Sequence, residues 1–115
     1  MRNTECTIWS PEHLFTAAVS SCFMTTFLSI AKNSKLEFSS FTCNSNGKLD
    51  KVDGKLQMSE VTLEPVLTIM RNVDREKALR ILSKTEAACL ITNSIKSVVT
   101  VKPVVNVRLA NVMNA

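Results

Sequence analysis

Apolar residues recur on nearly every side of the segment from Pro11 to Ala31. Leu14, Phe15, Ala18, Val19, Cys22, Phe23, Phe27, Leu28 and Ile30 cover most of a helical circumference, and the pattern fades at Lys32-Asn33-Ser34. Ser10 is a good N-cap, Pro11 suits the first helical position, and Glu12 falls where the helix dipole favours negative charge. The spacing therefore predicts a helix that starts at Ser10 and is buried on nearly all sides.

The pattern then switches to alternation. Leu36 and Phe38, then Phe41 and Cys43, lead through Lys48-Leu49 to Asp53-Gly54 and on to Leu56, Met58, Val61 and Leu63. This predicts two strands joined by a tight hairpin. Pro65 is expected to interrupt the second strand, with Val66 to Ile69 continuing as an edge or a bend. Asp74 is expected to cap a second helix carried by Ala78, Leu79, Ile81, Leu82, Thr85, Ala88 and Cys89 and ending near Asn93. The run Val99, Val101, Val105, Val107 and Leu109 predicts one long final strand. One all-round apolar helix, about three strands and one further helix cannot close a dry core in a chain of this size. A homodimer is expected, with the first helix packed on its symmetry mate.

Composition adds limits. At 115 residues with 45% hydrophobic content, the chain suits a single domain spanning 1–115, and two glycines and three prolines leave no linker or low-complexity stretch. The net charge of +4 is scattered, and with 5% aromatic residues there is no basic, aromatic-lined stripe for nucleic acid. The apolar stretch Leu14 to Ala31 is interrupted by Thr16, Ser20, Ser21, Thr25, Thr26 and Ser29, so a buried soluble helix is expected rather than a membrane span. The start of the chain lacks the build of a signal peptide, which makes the reducing cytoplasm the default compartment.

Four cysteines, Cys6, Cys22, Cys43 and Cys89, lie far apart with no C-x-x-C pair. That spacing is poor for zinc and sparse for a disulfide scaffold, so no metal or other cofactor is expected. Cys22 and Cys89 sit inside the two predicted helices among small and apolar residues. A thiol so placed is ordinarily a small buried hydrophobe, but the pair together points to thiol redox chemistry.

The local sequences carry a resemblance. Trp9-Ser10-Pro11-Glu12-His13-Leu14-Phe15-Thr16-Ala17-Ala18-Val19-Ser20-Ser21-Cys22-Phe23 resembles the first cysteine helix of the OsmC and organic hydroperoxide resistance (Ohr) family, and Glu86-Ala87-Ala88-Cys89-Leu90-Ile91-Thr92-Asn93-Ser94-Ile95 resembles its second cysteine motif. The resemblance implies an α+β fold: a long buried central helix and a second, cysteine-bearing helix packed on an antiparallel sheet, in an intertwined dimer. It also implies a thiol-dependent peroxidase that reduces organic hydroperoxides. Cys22 would be the peroxidatic thiolate, Cys89 its resolving partner, and Glu12 the acidic partner of an activating arginine. A thiol or lipoyl-type reductant would reset the pair. Cys6 and Cys43 match neither motif and are read as structural.

Family members carry further N-terminal strands, and with them the activating arginine. Here Arg2 is the one arginine upstream of Cys22, and the resemblance implies a shortened member. Leu90 stands where many members have proline. Neither cysteine lies at a helix N-terminus, so Cys22 is expected to need a cation to form its thiolate. Glu12 lies ten residues, about 15 Å of helix axis, from Cys22 and would have to serve the site from a dimer mate. The alternative is a non-catalytic OsmC-like dimer that binds a small apolar ligand or a protein partner. Both readings predict an apolar cleft near Cys22.

Overall fold

The computed structural model describes residues 10–108. Arg2, Cys6, Trp9 and Leu109 lie outside the described residues. Helix α1 spans Pro11–Asn33, followed by strands β1 (Phe38–Val52) and β2 (Lys55–Ile69), a 3-10 turn at Asn72–Asp74, and helix α2 (Arg75–Ala88). A second 3-10 turn at Thr92–Ser94 leads to β3 (Val98–Val101) and β4 (Val104–Val107).

Helix α1 starts where the sequence places it. The Ser10 hydroxyl accepts from the His13 backbone N–H at 3.4 Å, and the Ser10 N–H donates back to His13 Nδ1 at 3.4 Å. The pair closes a capping box in which histidine takes the place of the usual Glu or Gln. Asp74 occupies the N-cap position of α2, but its side chain makes no capping bond there. It pairs instead with Arg71 at 3.4 Å, inside the preceding 3-10 turn.

The β1–β2 hairpin is antiparallel, and Asp53 and Gly54 both have positive φ, as a type I′ turn requires. A bulge at Ser39 shifts the register between Phe38 and Ser40. Phe38 and Phe41 are three apart and would face opposite ways in a regular strand. The extra residue turns both toward α1, where Phe41 stacks on Phe27 with ring centroids 4.1 Å apart and Phe38 meets it edge-on at 5.6 Å.

Three expectations about the sheet are corrected. The sheet is mixed rather than wholly antiparallel, because the chain leaves β2 through α2 and returns along it, so β3 and β4 both pair parallel to β2. Such a crossover connection is what a parallel pairing needs. The last strand is also broken in two at Lys102-Pro103. Pro65 lies in β2 between the segment paired with β3, ending at Leu63, and that paired with β4, starting at Val66. A proline in a central strand has no N–H to give, and the break falls where that N–H is missing. Pro65 is thus fully buried in a continuous β2, not an edge or a bend.

Both helices cover one face of the sheet. Val61, Leu63, Leu67 and Ile69 of β2 join Val19, Phe23, Phe27 and Ala31 of α1, Ala78, Ile81 and Leu82 of α2, and Val105 of β4 in one core. Arg75 Nη1 ties α2 to β4 by donating to the Val105 carbonyl at 2.9 Å. The hairpin extends past this core, and the Cα radius of gyration of 16.7 Å exceeds the ~13 Å of a compact chain of this length. Within the single chain α1 is covered along one stripe only, Val19, Ser20, Phe23, Phe27 and Ala31. Its opposite face, including Leu14 at 58% and Leu28 at 47% exposure, lies open.

Candidate active site

Cys22 stands in the middle of α1 and is half-buried. Cys89 is fully buried and, contrary to expectation, is not inside α2: it is the C-cap, where the chain leaves the helix with φ −67° and ψ 113°. The helix stops there because local side chains supply other partners for its last carbonyls. Asn93 Nδ2 donates to the Ala87 carbonyl at 3.1 Å, the Asn93 N–H to the Cys89 carbonyl at 3.1 Å, and the Ser94 hydroxyl to the Leu90 carbonyl at 2.8 Å.

This turn brings the second cysteine motif onto the first. Burial pushes the Cys22 thiol up, but hydrogen bonds from the Ile91 backbone N–H, the Cys89 side chain, the Thr26 hydroxyl and the Leu90 backbone N–H outweigh it, so the thiol lies below its ordinary range. Thr26, one turn along α1, holds its hydroxyl 3.9 Å from the sulfur. Among the described residues no cation is among the groups that set this thiol. The neutral donors that lower this thiol are ones that sequence reasoning missed. One signal was available: Leu90, unlike a proline at that position, carries an N–H.

Cys43 lies apart from this pair, on β1 under Ser20 of α1. Burial pushes its thiol up, and hydrogen bonds from the Ser20 side chain and the Glu64 backbone do not reverse that. It is therefore a protonated thiol at neutral pH. Among the described residues no three His, Cys, Asp or Glu side chains converge as metal ligands would.

Glu12 is not brought to Cys22 within the chain. It sits in the first turn of α1, about 15 Å along the axis, as helical rise requires. Glu12 instead lines a cavity of about 930 Å³ between α1 and the far half of the hairpin, with His13, Met24, Leu28, Leu49 and Met58. Its wall comes close at Gly47, where a Cβ would lie 2.5 Å from Thr16 Oγ1 and from Met58 Cε. The expected apolar cleft is thus present but displaced: Ser21 and Thr25, which flank Cys22 on the helix, line it, and Cys22 does not.

The same fold is found in known proteins. No curated protein sequence matches the chain. Among solved structures, an OsmC-like protein of unknown function from Vibrio cholerae is 32% identical with a TM-score of 0.72, over 82% of this chain and 63% of that one. The chain therefore spans less than two thirds of that relative's length. The organic hydroperoxide resistance protein OhrB of Bacillus subtilis is 26% identical with a TM-score of 0.68, over 89% of this chain and 73% of that one. An OsmC-like protein from Mycoplasma pneumoniae shares the fold at a TM-score of 0.78 with 12% identity, over 92% and 78% of the two chains. The family model of OsmC-like proteins matches residues 4–104, a span that includes both cysteine motifs, and the chain belongs to the OsmC-like family.

Proposed function

We propose that this protein is a soluble, cytoplasmic thiol peroxidase that reduces organic hydroperoxides. The observation that carries the reading is the meeting of Cys22 with Cys89, with the Cys22 thiol held below its ordinary range. The Cys22 thiolate attacks the outer oxygen of ROOH, the O–O bond breaks, and the alkoxide leaves and is protonated to ROH. Cys22 is left as a sulfenic acid. The Cys89 thiol, as thiolate, then attacks that sulfur and expels water, closing a Cys22–Cys89 disulfide. A dithiol, of the lipoyl type or similar, returns both sulfurs to the reduced state by exchange and is itself oxidised. Glu12 serves a neighbouring site across a dimer.

The open face of α1 supports that dimer. Leu14, Ala18, Ser21, Thr25 and Leu28 are all exposed, and they follow one another at spacings of four, three, four and three residues. This is the seam spacing of packed helix pairs, and its small central residues allow close approach of a second copy. Leu28, Leu49 and Met58 line the adjoining cavity and extend the apolar surface.

The reduced protein with an excess of dithiothreitol should consume cumene hydroperoxide catalytically, and hydrogen peroxide at least tenfold more slowly, since the phenylalanines and methionines around Cys22 favour an apolar substrate by a few kcal/mol at most. The same sample should sediment at twice the 12.7 kDa chain mass. Consumption no faster than that of dithiothreitol alone defeats the peroxidase reading, and sedimentation at the chain mass defeats the dimer.

A further inference from the structure

We infer that Thr26 activates Cys22 from within its own helix: the Thr26 hydroxyl, one turn further along α1, donates to the Cys22 sulfur and favours the thiolate. The inference rests on the reading of Cys22 as the nucleophile, and it places part of the activation on a neutral side chain of α1.

Two adjacent threonines follow Cys22, and they are employed differently. A threonine in a helix ordinarily turns its hydroxyl back to the carbonyl three or four residues earlier. Thr25 does so, donating to the Cys22 carbonyl at 3.2 Å. Thr26 does not: among the described residues its hydroxyl has one hydrogen-bond partner, the Cys22 sulfur at 3.9 Å. Residues four apart share a helix face, and each side chain leans over the turn before it, so a hydroxyl at position 26 lies over the thiol at position 22.

While Cys22 is a thiol, either group of this pair can donate. A thiolate has no proton, so ionisation commits the Thr26 O–H to donate, and a hydrogen bond to an ionised acceptor is the stronger one. The contact is half-buried, where water competes less for the sulfur. Cys22 lies in the middle of a 23-residue helix, beyond the reach of the dipole at either end, so a local donor has more effect here than at a helix terminus. The thiol responds in the same direction: burial raises it, and Thr26 follows Ile91 and Cys89 among the neighbours that lower it.

Thr26→Val removes the hydroxyl and keeps the branched shape, whereas Thr26→Ser keeps the hydroxyl and drops the methyl group. Thr25→Val removes the neighbouring hydroxyl, which goes to the backbone.

The test is the pH dependence of iodoacetamide alkylation at Cys22 in the reduced chain, read peptide by peptide by mass spectrometry, with Cys43 as the internal reference. The wild-type Cys22 midpoint should fall below that of Cys43, whose thiol burial pushes up. Thr26→Val should raise the Cys22 midpoint by about half a unit, a roughly threefold loss of thiolate below it. Thr26→Ser and Thr25→Val should stay close to the wild-type value, and Cys43 should not move in any variant. Well above the midpoint the valine variant should alkylate as fast as wild type, a pattern that a loosened or blocked site would not give. A folded Thr26→Val protein with the wild-type midpoint overturns the inference, as does an equal rise in Thr25→Val or Thr26→Ser. If the valine variant does not fold, Thr26→Ala must show the same rise. Alkylation needs no peroxide. A wild type inert to hydroperoxides whose midpoint still moves with Thr26→Val would refute the peroxidase reading and support this one.

Discussion

Cys22→Ser should abolish hydroperoxide consumption, with a loss of at least roughly 10³-fold, the order seen when a nucleophile acting as part of a unit is removed. The serine hydroxyl would sit in the same half-buried position beside Thr26 and the turn after α2. The donors that favour a thiolate cannot ionise a hydroxyl at neutral pH, and among the described residues no general base is among the groups that set this position. Cys89→Ser should behave differently. It keeps the nucleophile, so one equivalent of hydroperoxide is still reduced, and a sulfenic acid accumulates that dimedone can trap at Cys22. Cys43→Ser should retain turnover, because its thiol is held protonated on β1 away from the pair. Measured rates of cumene hydroperoxide loss for the three variants separate these outcomes, and undiminished turnover by Cys22→Ser would refute the assignment.

Phe27→Ala should be the most damaging single truncation in the core, costing about 3–5 kcal/mol. Phe27 is fully buried and is the shared partner of two rings, stacked against Phe41 and edge-on to Phe38. It therefore joins α1 to the bulged start of β1, and its loss removes both aromatic contacts as well as the buried area. At ~4 °C or more per kcal/mol for a domain of this size, the thermal midpoint should drop by over ~10 °C at matched protein concentration. Leu56→Ala, at a position 72% exposed near the hairpin tip, should change stability by no more than ~0.5 kcal/mol. A Phe27→Ala midpoint within a few degrees of wild type would show that the helix and hairpin are not held together by this cluster.

Local signals carried much of the fold. Ser10-Pro11 marked the start of α1 and Asp53-Gly54 marked the tight hairpin turn, whereas the bulge between Phe38 and Phe41 was not read from the sequence. Each rests on residues a few positions apart. What the sequence hid depends on distant partners. The parallel pairing of β3 and β4 follows from the path of the chain over α2, and the break at Lys102-Pro103 is matched to Pro65 in another strand nearly forty residues away. Asp74 looked like a cap but is claimed by Arg71.

The site divides in the same way. Cys22 and Cys89 were legible as a pair through their motifs, and the family that those motifs suggested is the one to which the chain belongs. The helical context of Cys89 was misread, because the residues that end α2, Asn93 and Ser94, act by hydrogen bonds back across the turn and leave no mark on hydrophobic periodicity. Backbone donors have no side chain to read. For that reason the sequence pointed to a cation, whereas among the described residues the groups that lower the Cys22 thiol are neutral. The dimer was inferred from the all-round apolarity of α1, and the exposed stripe from Leu14 to Leu28 now specifies which face would meet the second copy.

The most direct test of the peroxidatic pair is to add one equivalent of cumene hydroperoxide to the fully reduced protein, quench with an alkylating agent, and map every cysteine by mass spectrometry. The account predicts a Cys22–Cys89 disulfide as the main product, with Cys6 and Cys43 recovered as alkylated thiols. Recovery of Cys22 and Cys89 as unreacted thiols, or a disulfide that joins either of them to Cys43, would contradict it.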